Sequence, residues 1–203
     1  MVRKTKAESE KTRASVLKAA LVIFDEKGFA KASLEDIAAK AGVTRGAVYW
    51  HFKNKIDIFE SLQEELHSSL LETIIKDLEK DHPAPLQQLE ELCTNLLIDI
   101  QINPNKRLIM KTFFMKCDYS GDMKYLLEQQ NSRKKKHQEL FSRYFKRAQE
   151  KGHLNENAEP ETLTLSLSCY LTGIVFEYIR APENFNLEKL APVLMKNFFA
   201  GFH

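Results

Sequence analysis

The segment from Thr44 to Lys55 places nucleic-acid-binding side chains at helical spacing. In a short helix that begins at Arg45, one face carries Val48 and Phe52, and the opposite face presents polar and aromatic side chains. We expect these exposed residues to be Arg45, Tyr49, Trp50 and His51. An arginine in the first turn of such a helix can donate two hydrogen bonds to a guanine edge. The pattern therefore predicts a helix that enters the major groove of DNA.

Neighbouring residues fit the same chemistry. Gly46 costs about 1 kcal/mol of helix stability relative to alanine, which is understandable where the backbone approaches another molecule closely. Tyr49 and Lys55 are expected to reach flanking phosphates. The alternative is a small three-helix bundle whose aromatic patch contacts another protein.

A preceding helix and a tight turn must position this segment. The hydroxyl of Ser33 can cap a helix whose buried face is Leu34, Ile37, Ala38 and Ala41. Gly42 ends that helix, Val43 fills the turn, and Thr44 caps the next helix. Helix, turn and short helix together predict a helix-turn-helix motif within residues 33–52.

The remaining pattern is helical throughout, without the strict alternation of a half-buried strand. A first helix is predicted from about Glu8 to Lys27, with Gly28 as its left-handed cap and residues 1–7 as a loose basic arm. A long helix follows from Lys55 to about Asp81. Later breaks at prolines, glycines and asparagines divide the rest into five more helices. The fold class is therefore all-α.

Charge is distributed unevenly along the chain. Residues 1–55 carry 12 Lys and Arg against 6 Asp and Glu, a net charge of +6, whereas residues 56–203 carry 18 against 22, a net charge of −4. A basic N-terminal end on an acidic body is expected if only that end meets phosphates, although solvated helices also carry such an excess.

The helix-turn-helix segment resembles the DNA-binding signature of the TetR family, whose recognition helix is similar to residues 43–55 almost throughout. The resemblance implies a nine-helix fold with two domains, a DNA-binding domain at residues 1–54 and a ligand-binding and dimerisation domain at residues 55–203. It also implies which residues face DNA. These are Thr44, Arg45, Gly46, Tyr49, Trp50, His51 and Lys55, with Ser33 and the basic arm adding backbone contacts.

A looser resemblance links residues 115–123 and 180–187 to the AcrR-like branch of that family, which represses multidrug efflux pumps. It implies a repressor released from its operator by a hydrophobic or amphipathic small molecule. The alternative within the family is a regulator of lipid or other metabolism with a fatty-acyl effector. The alternative from another class is a helical ligand-binding protein or enzyme without DNA binding.

The predicted helix from Glu161 to Ile179 is apolar on nearly all sides, so one face needs a partner besides the core. Two copies of this helix and of the last helix would form a four-helix homodimer interface. The alternative is a buried core helix of a monomer. The expected interface residues are Ser166, Cys169, Gly173, Leu190, Leu194 and Phe198.

A ligand pocket is predicted from an aromatic and sulfur-rich wall and from polar residues in apolar settings. The wall residues are Met110, Phe113, Phe114, Cys117, Phe141, Tyr144, Phe145 and Phe176. The polar residues, whose burial would need an explanation, are Asn95, Asp99, Thr172 and Glu177. Glu177 could attract a cationic ligand, or could equally be exposed or ion-paired.

Enzyme, metal and membrane functions find little support in the sequence. There is no phosphate-binding glycine loop and no metal-ligand spacing among the six histidines, so we expect neither a cofactor nor a metal. The three cysteines are widely spaced and predicted to be reduced thiols. The longest strictly apolar run, Ala19 to Phe24, is far shorter than a membrane span. A cytoplasmic protein without membrane contact is expected.

Overall fold

The computed structural model of the protein describes residues 5–117 and 124–202. Within these ranges the chain forms nine α-helices and no strand. This confirms the predicted all-α, nine-helix fold. Residues 1–4 of the predicted basic arm lie outside the described residues. So do residues 118–123, which belong to the stretch that resembles the AcrR-like branch.

The helices of the N-terminal half are α1 (Lys6–Lys31), α2 (Leu34–Ala41), α3 (Arg45–His51) and α4 (Lys55–Leu78). They are followed by α5 (Pro85–Ile102) and α6 (Pro104–Lys111), which continues into a π-helical turn at Thr112–Lys116. The last three helices are α7 (Lys124–Glu150), α8 (Pro160–Arg180) and α9 (Leu187–Phe199).

The first helix begins and ends differently from the prediction. Thr5 caps it through a reciprocal capping box with Glu8, so Lys6 is helical rather than part of a loose arm. At the other end, Gly28 has φ 75° and ψ 159°, which interrupts the helix, and helical residues resume as far as Lys31. The positive φ of Gly28 was predicted, but its ψ lies outside the left-handed helical region that was expected. The fourth helix ends at Leu78, three residues before the predicted end.

The described residues fall into two compact units. Within the described ranges, one comprises residues 5–66 with 105–117 and 124–126, and the other residues 67–104 with 127–202. The first unit extends beyond the predicted boundary at residues 54 and 55 because later residues share its core. Ile58, Phe59 and Leu62 of α4 and Ile109 of α6 are all buried in one cluster with Phe24 and Ile37.

The first unit is centred on three tilted or perpendicular phenylalanine rings. The centroids of Phe24 and Phe29 are 5.2 Å apart, and Phe59 lies 6.1 Å and 5.4 Å from them. Aromatic pairs at such separations stabilise a core beyond the area they bury. This cluster fixes α1 against the beginning of α4, and thereby supports the two helices of the turn motif.

In the second unit α5 packs along α9. Leu89 and Leu97 of α5 and Leu187, Ala191 and Met195 of α9 are at most 1% exposed. The Leu187 N–H donates to Gln101 Oε1 at 2.6 Å, which fixes the start of α9. The Tyr170 hydroxyl of α8 donates to the Leu194 carbonyl at 3.1 Å, joining α8 to the same helix.

Candidate functional site

Local hydrogen bonds build the predicted helix-turn-helix. The Asp36 N–H donates to Ser33 Oγ at 3.1 Å, and the Ser33 N–H donates back to the Asp36 carboxylate at 3.2 Å. Gly42 then takes the left-handed conformation, with φ 66° and ψ 31°. Thr44 Oγ1 accepts from the Ala47 N–H at 3.2 Å. Both predicted caps and the predicted turn are therefore present.

The short helix α3 uses one face for packing and leaves the other in solvent. Val48 is completely buried and Phe52, just after the helix, is 2% exposed, whereas Trp50 is 82% exposed and Tyr49 46% exposed. An added Cβ at Gly46 would have Thr44 Oγ1 at 4.0 Å as its nearest atom among the described residues, so packing within that part of the chain does not require a glycine there. Such a surface is suited to an external partner.

Arg45 is oriented by two neighbours. Its Nη1 lies 2.8 Å from Glu35 Oε1 of α2, and its Nη2 donates to the Tyr49 hydroxyl at 3.1 Å. The guanidinium carbon also lies 5.3 Å from the centroid of the Tyr49 ring. The Tyr49 hydrogen bond, and then the Glu35 charge, raise the pKa of Arg45. The guanidinium is thus held at the surface of the motif.

Lys55 has a different role from the predicted phosphate contact. Its Nζ donates to the carbonyls of Phe29, Ala30 and Ala32 at 2.9, 2.8 and 3.2 Å. An ammonium group has three N–H donors, so these bonds occupy all of them. Lys55 therefore fixes the end of α1 to the start of α4, and its contact with a phosphate stays a prediction.

Ser33 and His51 are less accessible than Arg45 and Trp50. The Ser33 hydroxyl donates to the Asp36 carboxylate at 2.8 Å, and this carboxylate also pairs with Lys27 at 2.6 Å. The Lys27 hydrogen bond, followed by that of Ser33, lowers the pKa of Asp36. His51 is half-buried, with its ring centroid 6.2 Å from that of Phe52. Their contacts with DNA stay predictions.

The predicted ligand wall is divided between the two compact units. Met110, Phe113, Phe114 and Cys117 belong to the first, where Phe113 and Cys117 pack against the core that includes the helix-turn-helix. The other wall residues belong to the second unit. Phe141, Tyr144 and Phe145 are buried, and the Tyr144 hydroxyl donates to Asp77 Oδ2 at 2.8 Å. The role of these residues in binding a ligand stays a prediction.

None of the four polar residues of the predicted pocket is fully buried. Asn95 is exposed and Asp99 half-buried. Thr172 is exposed, and its hydroxyl donates to the Ser168 carbonyl of its own helix at 2.7 Å. The Glu177 side chain is 44% exposed and ion-paired with Arg180, which is one of the alternatives that the sequence left open. Phe176 is 36% exposed. The contact of these residues with a ligand stays a prediction.

A pair of histidines was missed by the sequence analysis. The ring centroids of His67 on α4 and His137 on α7 lie 4.6 Å apart, and His67 is 7% exposed. Burial, and then the neighbouring His67, lower the pKa of His137 to about 4. A signal was available: His67 lies three and seven residues before Leu70 and Ile74, on the apolar stripe of α4.

The predicted dimer residues lie around an open apolar concavity on α8 and α9. Ser166, Cys169, Gly173, Leu194 and Phe198 line it, together with Tyr170, Ile174, Glu177 and Phe185. Leu190, predicted with them, is 38% exposed on the same helix α9. The rings of Tyr170 and Phe198 stack with their centroids 5.2 Å apart.

Alone among the helices of the described residues, α8 is long and apolar enough to span a bilayer. Core helices of soluble proteins meet the same criterion of length and composition. Only 33% of its apolar stretch is buried within the chain. The helix therefore presents a large apolar surface that the chain itself does not cover.

Two family profiles match the chain. Residues 16–62 match the bacterial regulatory proteins of the tetR family, and residues 84–203 match the C-terminal region of the MAATS-type transcriptional repressors. These two matches place the all-helical chain with its helix-turn-helix in the class of bacterial transcriptional regulators. More particularly, this chain belongs to the TetR family.

Relatives cover nearly the whole chain. The transcriptional regulator AcrR of Shigella flexneri is 32% identical over 191 residues, which are 94% of this chain and 89% of that protein. The crystal structure of NalD, the secondary repressor of the MexAB-OprM multidrug efflux pump in Pseudomonas aeruginosa, superposes with a TM-score of 0.82 at 31% identity. That likeness covers 97% of this chain and 98% of NalD.

Two further similar structures contain a bound ligand. The complex of SmeT with triclosan has a TM-score of 0.84 at 28% identity, covering 95% of this chain and 91% of SmeT; SmeT is the repressor of the Stenotrophomonas maltophilia efflux pump SmeDEF. FadR from Bacillus subtilis in complex with stearoyl-CoA has a TM-score of 0.79 at 18% identity, which shows a shared fold alone. The family and these relatives are regulators rather than enzymes.

Proposed function

We propose that this chain is a cytoplasmic, homodimeric repressor of a multidrug efflux system that binds a palindromic operator and is released by an apolar small molecule. The observation that carries the DNA-binding part is the surface of α3. Arg45, Tyr49 and Trp50 are exposed on a helix whose other face is buried, so this surface has no packing role within the chain.

The efflux assignment rests on the relatives. AcrR, NalD and SmeT match this chain along nearly its whole length at 28–32% identity, and NalD and SmeT are described as repressors of multidrug efflux pumps. The lipid-regulator alternative has support from fold alone, through FadR. Family membership argues against an enzyme or a binding protein without DNA.

The homodimer explains the uncovered apolar face of α8 and α9. Leu165 and Val193 are each 54% exposed there, beside the concavity that the predicted interface residues line. A second copy would bury these apolar side chains and would place two recognition helices on successive turns of a palindromic operator.

The DNA-binding role is tested with an operator selected from randomised duplexes by the wild-type protein. Arg45→Ala should lower the preference for operator over scrambled duplex by about tenfold to a hundredfold, the value of one bidentate base contact. Lys18→Ala removes the same charge from an exposed position on α1 and should leave the preference unchanged. Failure of the wild-type protein to select any duplex would refute the proposal.

The ligand is tested by operator release. Triclosan, the compound in the SmeT complex, should weaken operator binding by at least about tenfold, which requires a coupling free energy of about 1.4 kcal/mol between the two sites. Stearoyl-CoA is the matched probe for the lipid alternative. Release by stearoyl-CoA and not by triclosan would favour that alternative. Phe114 belongs to the predicted ligand wall, so Phe114→Ala should reduce the affinity of the protein for the probe that releases the operator.

A further inference from the structure

The first turn of α2 places a carboxylate beside the arginine that is predicted to contact bases. Glu35 is two residues after the cap Ser33, and Arg45 is the first residue of α3. The turn between the helices brings Glu35 Oε1 within 2.8 Å of Arg45 Nη1. A negative charge therefore lies on the basic surface that is expected to meet phosphates.

This ion pair contributes little to the stability of the fold. The Arg45 side chain is 59% exposed and that of Glu35 54% exposed. Exposed ion pairs of this kind typically stabilise a protein by less than about 1 kcal/mol. An acidic residue near DNA also opposes phosphate binding. The function of Glu35 must therefore be sought in what it does to Arg45.

Glu35 and Tyr49 hold the guanidinium from two sides. Glu35 Oε1 forms an ion pair with Nη1 at 2.8 Å, and the Tyr49 hydroxyl accepts a hydrogen bond from Nη2 at 3.1 Å. The tyrosine ring also lies 5.3 Å from the guanidinium carbon. The hydrogen bond to Tyr49 uses one of the five guanidinium N–H donors, so the guanidinium keeps donors for a partner. A flexible side chain is fixed before DNA arrives, which lowers the entropy lost on binding.

The charge of Glu35 distinguishes between the two acceptors that DNA offers. A phosphate is an anion and is repelled by the carboxylate, whereas the O6 and N7 atoms of guanine belong to a neutral base. With Glu35 present, Arg45 loses affinity for phosphate more than for guanine. The pair therefore favours base reading over sequence-independent backbone contact.

We propose that Glu35 is a positioning residue that orients Arg45 and so determines how strongly the protein prefers its operator over other DNA. The inference rests on the proposed DNA-binding function. It goes beyond that function by placing part of the sequence preference on α2, outside the recognition helix.

The test compares Glu35→Gln with Glu26→Gln. Glu26 forms an equally exposed ion pair with Lys40, at 3.3 Å, between α1 and α2, so both variants remove one negative charge from the same unit. Glu35→Gln should tighten binding to scrambled duplex and lower the ratio of operator to scrambled affinity by about twofold to fivefold, within the range that an exposed ion pair can supply. Glu26→Gln should shift both affinities alike and leave the ratio unchanged.

A double-mutant cycle with Arg45→Ala shows whether Glu35 changes the ratio of operator to scrambled affinity through Arg45. In the Arg45→Ala protein, Glu35→Gln should no longer change the ratio. An effect that persists there, or a single Glu35→Gln ratio equal to that of Glu26→Gln, would overturn the proposal. If Arg45→Ala alone leaves the ratio unchanged, both this proposal and the DNA-reading role of Arg45 are wrong. If Arg45→Ala lowers it and Glu35→Gln does not, only the role of Glu35 is refuted.

Discussion

Lys55 shows how one side chain can connect distant parts of the DNA-binding unit. Its ammonium group bonds to three carbonyls that lie 23 to 26 residues earlier in the chain, and its Nζ lies 5.0 Å from the centroid of the Phe29 ring. These carbonyls belong to the end of α1 and the loop after it, where backbone acceptors otherwise lack helical partners. The first residue of α4 is thereby fixed to α1.

Replacement of this lysine should destabilise the protein. For Lys55→Met we expect the free energy of unfolding to fall by about 2 kcal/mol, since hydrogen bonds to a charged group contribute about 1.5–3 kcal/mol. Chemical denaturation followed by circular dichroism measures the change. Lys53→Met, at an exposed neighbouring position, should leave it unchanged. The opposite result would be a Lys55→Met protein of unaltered stability in which the slope of log K for DNA binding against log salt concentration falls by about one. That result would show that Lys55 contacts a phosphate, as the sequence predicted.

The histidine pair predicts a dependence of stability on pH. The native state keeps His137 neutral, with its pKa lowered to about 4 by burial and by His67, whereas the unfolded chain binds a proton near pH 6.5. Stability is therefore complete above about pH 6.5 and falls as the pH decreases towards 4. Denaturation at several pH values should show this slope.

A matched pair of variants isolates the buried histidine. His137→Gln should flatten the decrease between pH 6.5 and 4, and His153→Gln, at an exposed position, should retain it. An equal slope in the wild-type protein and in His137→Gln would show that His137 gains its proton at the same pH in the native state as in the unfolded chain. The buried pair would then have a different electrostatic environment from the one inferred here.

At the scale of the elements, two glycines with positive φ act differently: Gly42 caps the end of α2, and Gly28 interrupts α1. Gly42 is in the left-handed helical region, which asparagine also adopts, whereas Gly28, at φ 75° and ψ 159°, lies in a region that is almost restricted to glycine. An added Cβ at either position meets no atom within 4 Å. Any difference between their substitutions therefore reflects the backbone alone.

The two positions should accordingly respond differently to the same side chain. Gly28→Asn should lower the free energy of unfolding by about 1–3 kcal/mol, the typical strain of an unfavourable backbone conformation. Gly42→Asn should lower it by less than about 0.5 kcal/mol, since left-handed helix caps accept asparagine. Denaturation curves of both variants provide the comparison. An equal decrease in the free energy of unfolding would show that the two glycine positions do not differ in backbone strain.

At the scale of the whole molecule, the uncovered faces of α8 and α9 determine the expected assembly. Gly173→Leu and Phe198→Glu should each produce monomers with reduced operator affinity, measured by sedimentation and by DNA binding. The larger side chain in Gly173→Leu should not disturb the monomer, since an added Cβ at Gly173 meets no atom within 4 Å. Ile102→Glu changes a residue that is 60% exposed on α5 and should remain dimeric. A monomeric wild-type protein would contradict the proposed interface.

The sequence by itself determined the helix-turn-helix, because its signals are local. The caps Ser33 and Thr44 bond to residues three positions away, and Gly42 sets its own backbone conformation. The apolar period likewise indicated which faces of α2 and α3 are buried. These features depend on neighbours within about one helical turn, so they can be inferred without knowing how distant helices meet.

Only the tertiary structure decided which distant residues meet. Periodicity predicts that a helix face is buried but does not specify its partner, so the carbonyl partners of Lys55 and the pairing of His67 with His137 were not predicted. For the same reason the packing of Phe113 against the core of the DNA-binding unit was not predicted. Contacts between residues far apart in the chain arise from the packing of whole helices, which no local pattern encodes.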